Sequence, residues 1–366
     1  MRVVIDATPL LVRSAGVKNY LYHWIQHLRA ATGDARVDTF PRMKRLGPLT
    51  HEASIAGGLR TWSGLGALAV SNHTGLPLLD WLARGADVFH ASVLVRYPPK
   101  RVPLTVTVHD LTGFLMPELH TRGNLTAEKS FAELARRADG LIAVSEYTRQ
   151  DAIRTLGLAP DKICTIHSGV ADSFFDPPAA LVDEVRTRYG LQRPFLLFVG
   201  TIEPRKNVDM LLDAYESLPV SVREHYQLVV AGSIGWGLKG IRERLRYVRY
   251  LGYVPERDLA PLTAAADVFV YPSLYEGFGF PIAQAMAAGV PVITSNVSSL
   301  PEVAGNAAIL VDPRSQSELR AAMLRLLGSA ELRRALGLAG REQARGYRWQ
   351  ICAAKSLDFF RRVAGK

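Results

Sequence analysis

Eleven apolar runs of five to eight residues recur along the chain, with longer amphipathic stretches between most of them. Residues 2–6 (RVVID), 86–91 (ADVFHA), 104–110 (LTVTVHD), 140–145 (GLIAVS) and 162–167 (KICTIH) form one series. Residues 194–201 (PFLLFVGT), 226–232 (YQLVVAG), 248–254 (VRYLGYV), 266–273 (ADVFVYPS), 290–295 (VPVITS) and 307–312 (AAILVD) form a second. Runs of that length, rich in Val, Ile and Leu and bounded by Gly, Pro or polar residues, read as strands buried on both faces. Intervening stretches such as GVKNYLYHWIQHLRAA and TAEKSFAELARRA carry helical spacing. Parallel strands need a crossover to return the chain, usually a helix, so the alternation predicts parallel sheets covered on both faces.

The pattern is interrupted at ADSFFDPPAALVDEVRTRYGLQRP (171–194), where Pro177 and Pro178 fall. A chain of 366 residues also exceeds what one core ordinarily supports. The expected class is therefore α/β, with two doubly wound, Rossmann-like parallel-sheet domains at 1–175 and 176–348. The last amphipathic stretch, about 349–366, is expected to cross back and complete the first domain. In such sheets ligands bind beyond the carboxyl ends of the strands, so chemistry belongs in the turns that follow them.

Charge and cysteine content narrow the partners. Lys and Arg number 44 against 34 Asp and Glu, a net charge of +10. Residues 1–180 hold 20 basic and 16 acidic side chains and residues 181–366 hold 24 and 18, so there is no basic tail. A diffuse positive field suits anionic small molecules, an anionic membrane surface or nucleic acid. The run Arg242, Arg244, Arg246, Arg249 reads as a solvated helical face entering a strand, and no nucleic-acid partner is expected. Cys164 and Cys352 are too far apart for metal-ligand spacing or a disulfide framework. Asp6 inside the first apolar run argues against a signal peptide, and no stretch reaches membrane-span length. A reduced, cytoplasmic protein is expected.

Two turns carry the strongest chemical signal. In YEGFGFPIAQAMAAGVPVI (275–293), Glu276 follows a strand and a glycine turn leads to Pro281, a favoured first residue of a helix. Glycines admit backbone amides close to a ligand, and a helix N-terminus adds about half a positive charge. Such a turn suits phosphates, while Glu276 suits sugar hydroxyls as an acceptor. In GTIEPRKN (200–207), again after a strand, Arg205 and Lys206 suit a diphosphate and the charge developing on a leaving group.

In the other half, VTVHD ends a strand at His109 and Asp110, and alternation would aim only one of them at a ligand. Gly16, in RSAGVKNY, opens the first helix and would let backbone approach a ligand. Residues 235–240, GWGLKG, match G-x-G-x-x-G literally, but the preceding strand ends three residues too early for a dinucleotide fingerprint. No D-x-D triplet occurs, so no carboxylate-held metal is expected, nor any cofactor beyond a donor co-substrate.

Together these residues resemble glycosyltransferase family 4, the retaining, sugar-nucleotide-dependent transferases of the GT-B fold. The resemblance rests on VIDATPL, TVHDLTGFLMPELH, AVSEYTRQDAI, GTIEPRKN, ILVDP and the long block from LGYVPERDL to SSLPEVAG. It implies two domains facing across a cleft, acceptor bound by the first and sugar nucleotide by the second. It further implies that Arg205 and Lys206, in the turn opened by Gly200, hold the donor diphosphate. Glu276 and the backbone of Phe278, Gly279 and Phe280 would hold donor sugar and phosphates. His109 would sit beside the sugar, Gly16 would face the diphosphate, and Tyr253 and Val254 would line the base pocket.

The family's second glutamate, separated from the first by seven residues, is here Gln284, which keeps one acceptor oxygen for ribose and loses the charge. GTIEPRKN resembles the mannosyltransferase-like branch, which favours GDP-mannose over UDP-glucose or UDP-N-acetylglucosamine. A glycan or lipid-linked glycan is the expected acceptor. RMKR (42–45), followed by Trp62, Leu65, Leu68, Leu78, Leu79 and Trp81, suits either a peripheral contact with an anionic membrane or ordinary core helices. A sugar-nucleotide epimerase and a non-catalytic sugar-nucleotide-binding module are the rival readings.

Overall fold

The computed structural model describes residues 1–366 apart from Ala15, Thr32, Asp34, Leu238 and Lys239 and the side chains of Arg122 and Asn124. The chain forms two compact units, Met1–Gly169 with Trp349–Lys366, and Val170–Arg348. The first is built on strands β1 (Arg2–Asp6), β2 (Arg36–Phe40), β3 (Val88–Ala91), β4 (Leu104–Val108), β5 (Gly140–Ala143) and β6 (Ile163–Thr165). They lie in the order β2-β1-β3-β4-β5-β6, every pairing parallel. The second is built on β7 (Phe195–Val199), β8 (Gln227–Ala231), β9 (Arg249–Gly252), β10 (Val268–Tyr271), β11 (Val292–Ser295) and β12 (Ala308–Val311). Its order is β12-β11-β10-β7-β8-β9, again all parallel.

Each of the eleven expected runs contains one strand; β1 fills its run and the other ten are shorter than theirs by two to four residues. The twelfth, β2, is an edge strand that the apolar pattern does not signal. Its Asp38 accepts from Arg2 Nε at 2.9 Å and Arg36 Nε at 3.1 Å, so the charges belong to the edge instead of breaking it. Because β4 ends at Val108, His109 and Asp110 both lie beyond the strand, and alternation does not choose between them.

The boundary between units falls at Gly169/Val170, where the sequence pattern places it at 175/176. Residues 172–175 fold with the second unit: Phe174 and Phe175 are buried, and Arg348 stacks 3.9 Å from the Phe175 ring while pairing with Asp172 at 2.9 Å. Residues 349–366 fold with the first unit. The helix Trp349–Val363 packs on α1 (Gly16–Ala30), with Trp24 Nε1 donating to Ser356 Oγ at 2.9 Å and the Trp349 ring 5.5 Å from Tyr20. Among the described residues no helix is long and apolar enough to cross a membrane.

The strand orders fix where each sheet reverses direction. In the second unit the chain runs outward from β7 through β8 to β9, then returns to the other side of β7 with β10. The crevice beyond the carboxyl ends of β7 and β10 is therefore the topological switch point, the favoured place for a ligand. In the first unit the corresponding point lies between β1 and β3.

Candidate active site

The turn after β7 is held rigid by an extension of the sheet. Gly200 N donates to Ala231 O at 3.0 Å, and Ile202 N to Ser233 O at 2.9 Å, so pairing with the β8 side continues past both strands. This close approach requires Gly232, whose φ is 138°; a Cβ there would lie 1.9 Å from Gly200 O. Beyond it, a short 3₁₀ turn at Pro204–Lys206 ends in Asn207, whose left-handed backbone (φ 58°) starts the helix Val208–Glu216. Asn207 Nδ2 then donates to Pro272 O at 3.0 Å and Leu274 N donates to Arg205 O at 2.8 Å. The turns after β7 and β10 are thus laced into one surface at the switch point.

Arg205, Lys206 and Glu276 meet there. Lys206 Nζ donates to Glu276 Oε1 at 2.6 Å, and Arg205 Nη1 lies 3.0 Å from Oε2. Tyr271 OH and Ser273 Oγ, from the end of β10, donate to Oε1 at 2.9 and 2.7 Å. Arg205 Nη2 donates to Glu203 Oε1 at 2.9 Å, and Nη1 also donates to Tyr275 O at 2.8 Å. Burial alone would raise the Glu276 carboxyl; Arg205 first, then Lys206 and the Ser273 hydroxyl outweigh it and hold the group at about 2. The same burial, with Arg205 alongside, pulls the Lys206 ammonium down, and burial with Glu276 beside it pushes the Tyr271 phenol well above 10.

Two consequences follow for ligand chemistry. Glu276 Oε1 already receives three donors, so acceptor capacity remains chiefly on Oε2. Lys206 gives one proton to Glu276 and lies 5.4 Å from the centre of the Tyr271 ring, leaving two ammonium protons to donate. Arg205 and Lys206 against Glu203 and Glu276 make a neutral cluster, whose cations are positioned by buried acids.

The glycine turn has the geometry its sequence suggests. Gly279 (φ 96°) precedes the helix Phe280–Ala287, with Pro281 in its first turn, and a Cβ on Gly279 would sit 2.8 Å from Leu300 Cδ2. Phe278 is buried, its ring 5.5 Å from Phe280 and 5.4 Å from Tyr347. Gln284 lies half-buried one turn further along that helix. Tyr253 and Val254 follow β9, two strands from β7, Tyr253 half-buried and Val254 buried. They are outside the ion-paired cluster but on the same carboxyl edge.

Gly16 and His109 belong to the first unit. Gly16 is exposed at the start of α1, and a Cβ there would meet nothing within 4 Å, so no contact inside the chain demands glycine. His109 packs edge-on against Tyr20 at 4.8 Å between ring centres. Burial lowers its imidazole to about 4, with Asp110 opposing, so it is neutral at pH 7. Asp110 takes a structural part, accepting from Thr112 N and Oγ1 at 3.2 and 2.7 Å. Within GWGLKG, Leu238 and Lys239 lie outside the described residues; Gly235 N donates to Ile202 O at 2.9 Å, bracing the β7 turn.

Several residues carried too little signal to be singled out. Glu203, Tyr271 and Ser273 orient the cluster, and only the last two had a visible cue, being polar residues two apart at the end of an apolar strand. At the switch point of the first unit, buried Asp6 accepts from Thr8 N at 3.1 Å and from Ser92 Oγ, joining the ends of β1 and β3. Near His109, burial and Asp110 push the Glu128 carboxyl up to about 7, while Gly113 N donates to its Oε1 at 3.3 Å.

Known proteins share this architecture and these motifs. The description "Glycosyltransferase Family 4" matches residues 14–174, and "Glycosyl transferases group 1" matches residues 183–343. The chain belongs to this family and is a glycosyltransferase of the GT-B fold. It is 37% identical over 276 residues to O-antigen chain mannosyltransferase B of Escherichia coli, a match covering 72% of each chain. It is 31% identical over 291 residues to the serotype-specific mannosyltransferase WbdA of Escherichia coli; that match covers 74% of this chain and 35% of WbdA, about a third of its length. In fold it is similar to sucrose-phosphate synthase of Thermosynechococcus elongatus, with a TM-score of 0.74 at 22% identity, covering 100% of this chain and 99% of that one.

Proposed function

We propose that this glycosyltransferase moves mannose from GDP-mannose to a glycan acceptor, with retention of configuration and without a divalent metal. The observation that carries the reading is the buried cluster at the β7–β10 switch point, where Arg205 and Lys206 are held by Glu203 and Glu276. In this account the remaining Lys206 protons and the Arg205 guanidinium receive the diphosphate, and the turn at Phe278–Phe280 adds the helix N-terminus. Glu276 keeps both cations in place and offers Oε2 to a sugar hydroxyl. Tyr253 and Val254 take the base, Gln284 the ribose, and His109, as a neutral imidazole, a hydrogen bond beside the sugar.

The bond between the anomeric carbon and the diphosphate breaks as the acceptor oxygen bonds to the same face. The acceptor's proton passes to a departing phosphate oxygen. Preorganised charge at Arg205 and Lys206 lowers the cost of the leaving diphosphate. Mannose is favoured because sequence relatives of the chain are named mannosyltransferases, and a polysaccharide acceptor because one is named for an O-antigen chain. A lipid-linked form of that acceptor fits the same reading.

Nucleotide release from GDP-mannose, UDP-glucose and UDP-N-acetylglucosamine, with a mannan acceptor and with magnesium or EDTA, tests the proposal. Release of GDP alone, unchanged by EDTA, is expected. Release of UDP in place of GDP, or a requirement for magnesium, contradicts it.

A further inference from the structure

We propose that one helical face of the first unit docks on an anionic lipid membrane. The helix α2 (Gly58–Thr74) is apolar on two sides. One side, with Gly64, Leu68 and Ser71, is buried, and Gly64 faces Pro41 and Leu11 so closely that a Cβ would meet them at 2.8 and 3.1 Å. The other presents Leu59 (86% exposed), Trp62 (77%) and Val70 at helical spacing. Leu76, in the following segment, and Trp81 (75% exposed), in α3 (Leu78–Leu82), are exposed as well. A helix apolar on both sides expects a second apolar covering. Within this segment Leu68 and Leu79 are core, whereas Trp62 and Trp81 are not.

The charge around this crest has one sign. Residues 41–101 hold eight Lys and Arg against three acids, 8 − 3 = +5, and no acid occurs from Ala53 to Leu79. All three acids are engaged: Glu52 with Arg13 at 3.0 Å, Asp80 with Lys100 N at 2.9 Å, and Asp87 with Lys366 at 2.8 Å. The cations Arg42, Lys44, Arg45, Arg60, Arg84 and Arg96 are exposed and pair with no acid among the described residues. Arg60 lies on α2 itself, and three others adjoin α2 or α3 in the fold. Arg42 follows Pro41, which lies under Gly64; Arg96 N donates to Asn72 of α2 at 3.0 Å; and Arg84 follows α3.

Tryptophan seats at a lipid–water interface, and the cations meet anionic headgroups, each contributing about fivefold to binding. A second copy of the chain fits less well, since a two-fold interface would set this unit's excess of cations against itself. This docking goes beyond the transfer reading, and its test uses no donor, so either can fail alone.

Co-sedimentation with vesicles of phosphatidylcholine alone or mixed with phosphatidylglycerol tests it. The protein is expected to bind only the mixed vesicles, more weakly as salt rises. Trp62→Ser with Trp81→Ser should weaken binding at least about tenfold, and Leu338→Ser, at an exposed position of the second unit, should not change it. Should the tryptophan variant fail to fold, Arg60→Gln with Arg84→Gln carries the test, with about fivefold lost per cation. Equal binding to both vesicle types, no binding, or variants that bind like the wild type overturn the proposal. Lipid-free dimers abolished by the tryptophan substitutions also overturn it, assigning the face to self-association.

Discussion

Burial alone would favour the neutral acid at Glu276, yet Arg205 at 3.0 Å and Lys206 at 2.6 Å keep it ionised down to about 2. A carboxylate held below its unfolded value stabilises the fold above that value, and the contribution disappears as pH falls through the folded one. The window runs from 4.5 to about 2, worth at most about 3 kcal/mol. Glu276→Gln should therefore be less stable than the wild type at neutral pH, with the gap in melting temperature narrowing across that window. A gap that stays constant with pH would mean that Glu276 is not held ionised by its partners. Arg205, Lys206 and Glu276 were legible in the sequence because each follows an apolar run in a turn rich in Gly or Pro. Glu203 was not, because its part depends on an arginine that folds back across a 3₁₀ turn.

At the scale of elements, apolar runs located the interior strands, which are buried on both faces and need no alternation, and with them the edge strands β6, β9 and β12. Edge strand β2 escaped because its charged residues are an edge's ordinary means of avoiding further pairing. The strand ends were read too long for a related reason: residues such as His109 and Asp110 continue the apolar run but lie past the last ladder bond. The close approach of the β7 and β8 extensions depends on Gly232. Gly232→Ala, forcing a Cβ to within 1.9 Å of Gly200 O at a φ of 138°, should cost more than about 2 kcal/mol and displace the Arg205 turn. Chemical denaturation measures the cost; a loss below about 0.5 kcal/mol would show that the two turns are not braced as described.

For the whole molecule, the sequence pattern showed two series of strands, but the prolines that punctuate them mark the boundary only approximately. Phe174 and Phe175 decide it by packing into the second unit ahead of Pro177. The terminal helix is committed to the first unit by Trp349 and by Phe360, which is fully buried 5.8 Å from both Trp24 and His90. Phe360→Ala should destabilise that unit by about 3–5 kcal/mol. Donor binding through the second unit's cluster should survive at temperatures where the first remains folded. A loss under about 1 kcal/mol in denaturant unfolding would separate the helix from the first unit's core.

In the proposed reaction the cations at the β7–β10 switch point drive departure of a nucleoside diphosphate. The most direct test of this is the single-turnover rate of transfer from GDP-mannose by Arg205→Ala, at saturating donor and with EDTA present. A rate lower by about a hundredfold or more is expected, the scale of losing one preorganised charge stabiliser. A rate within a few-fold of the wild type would contradict it.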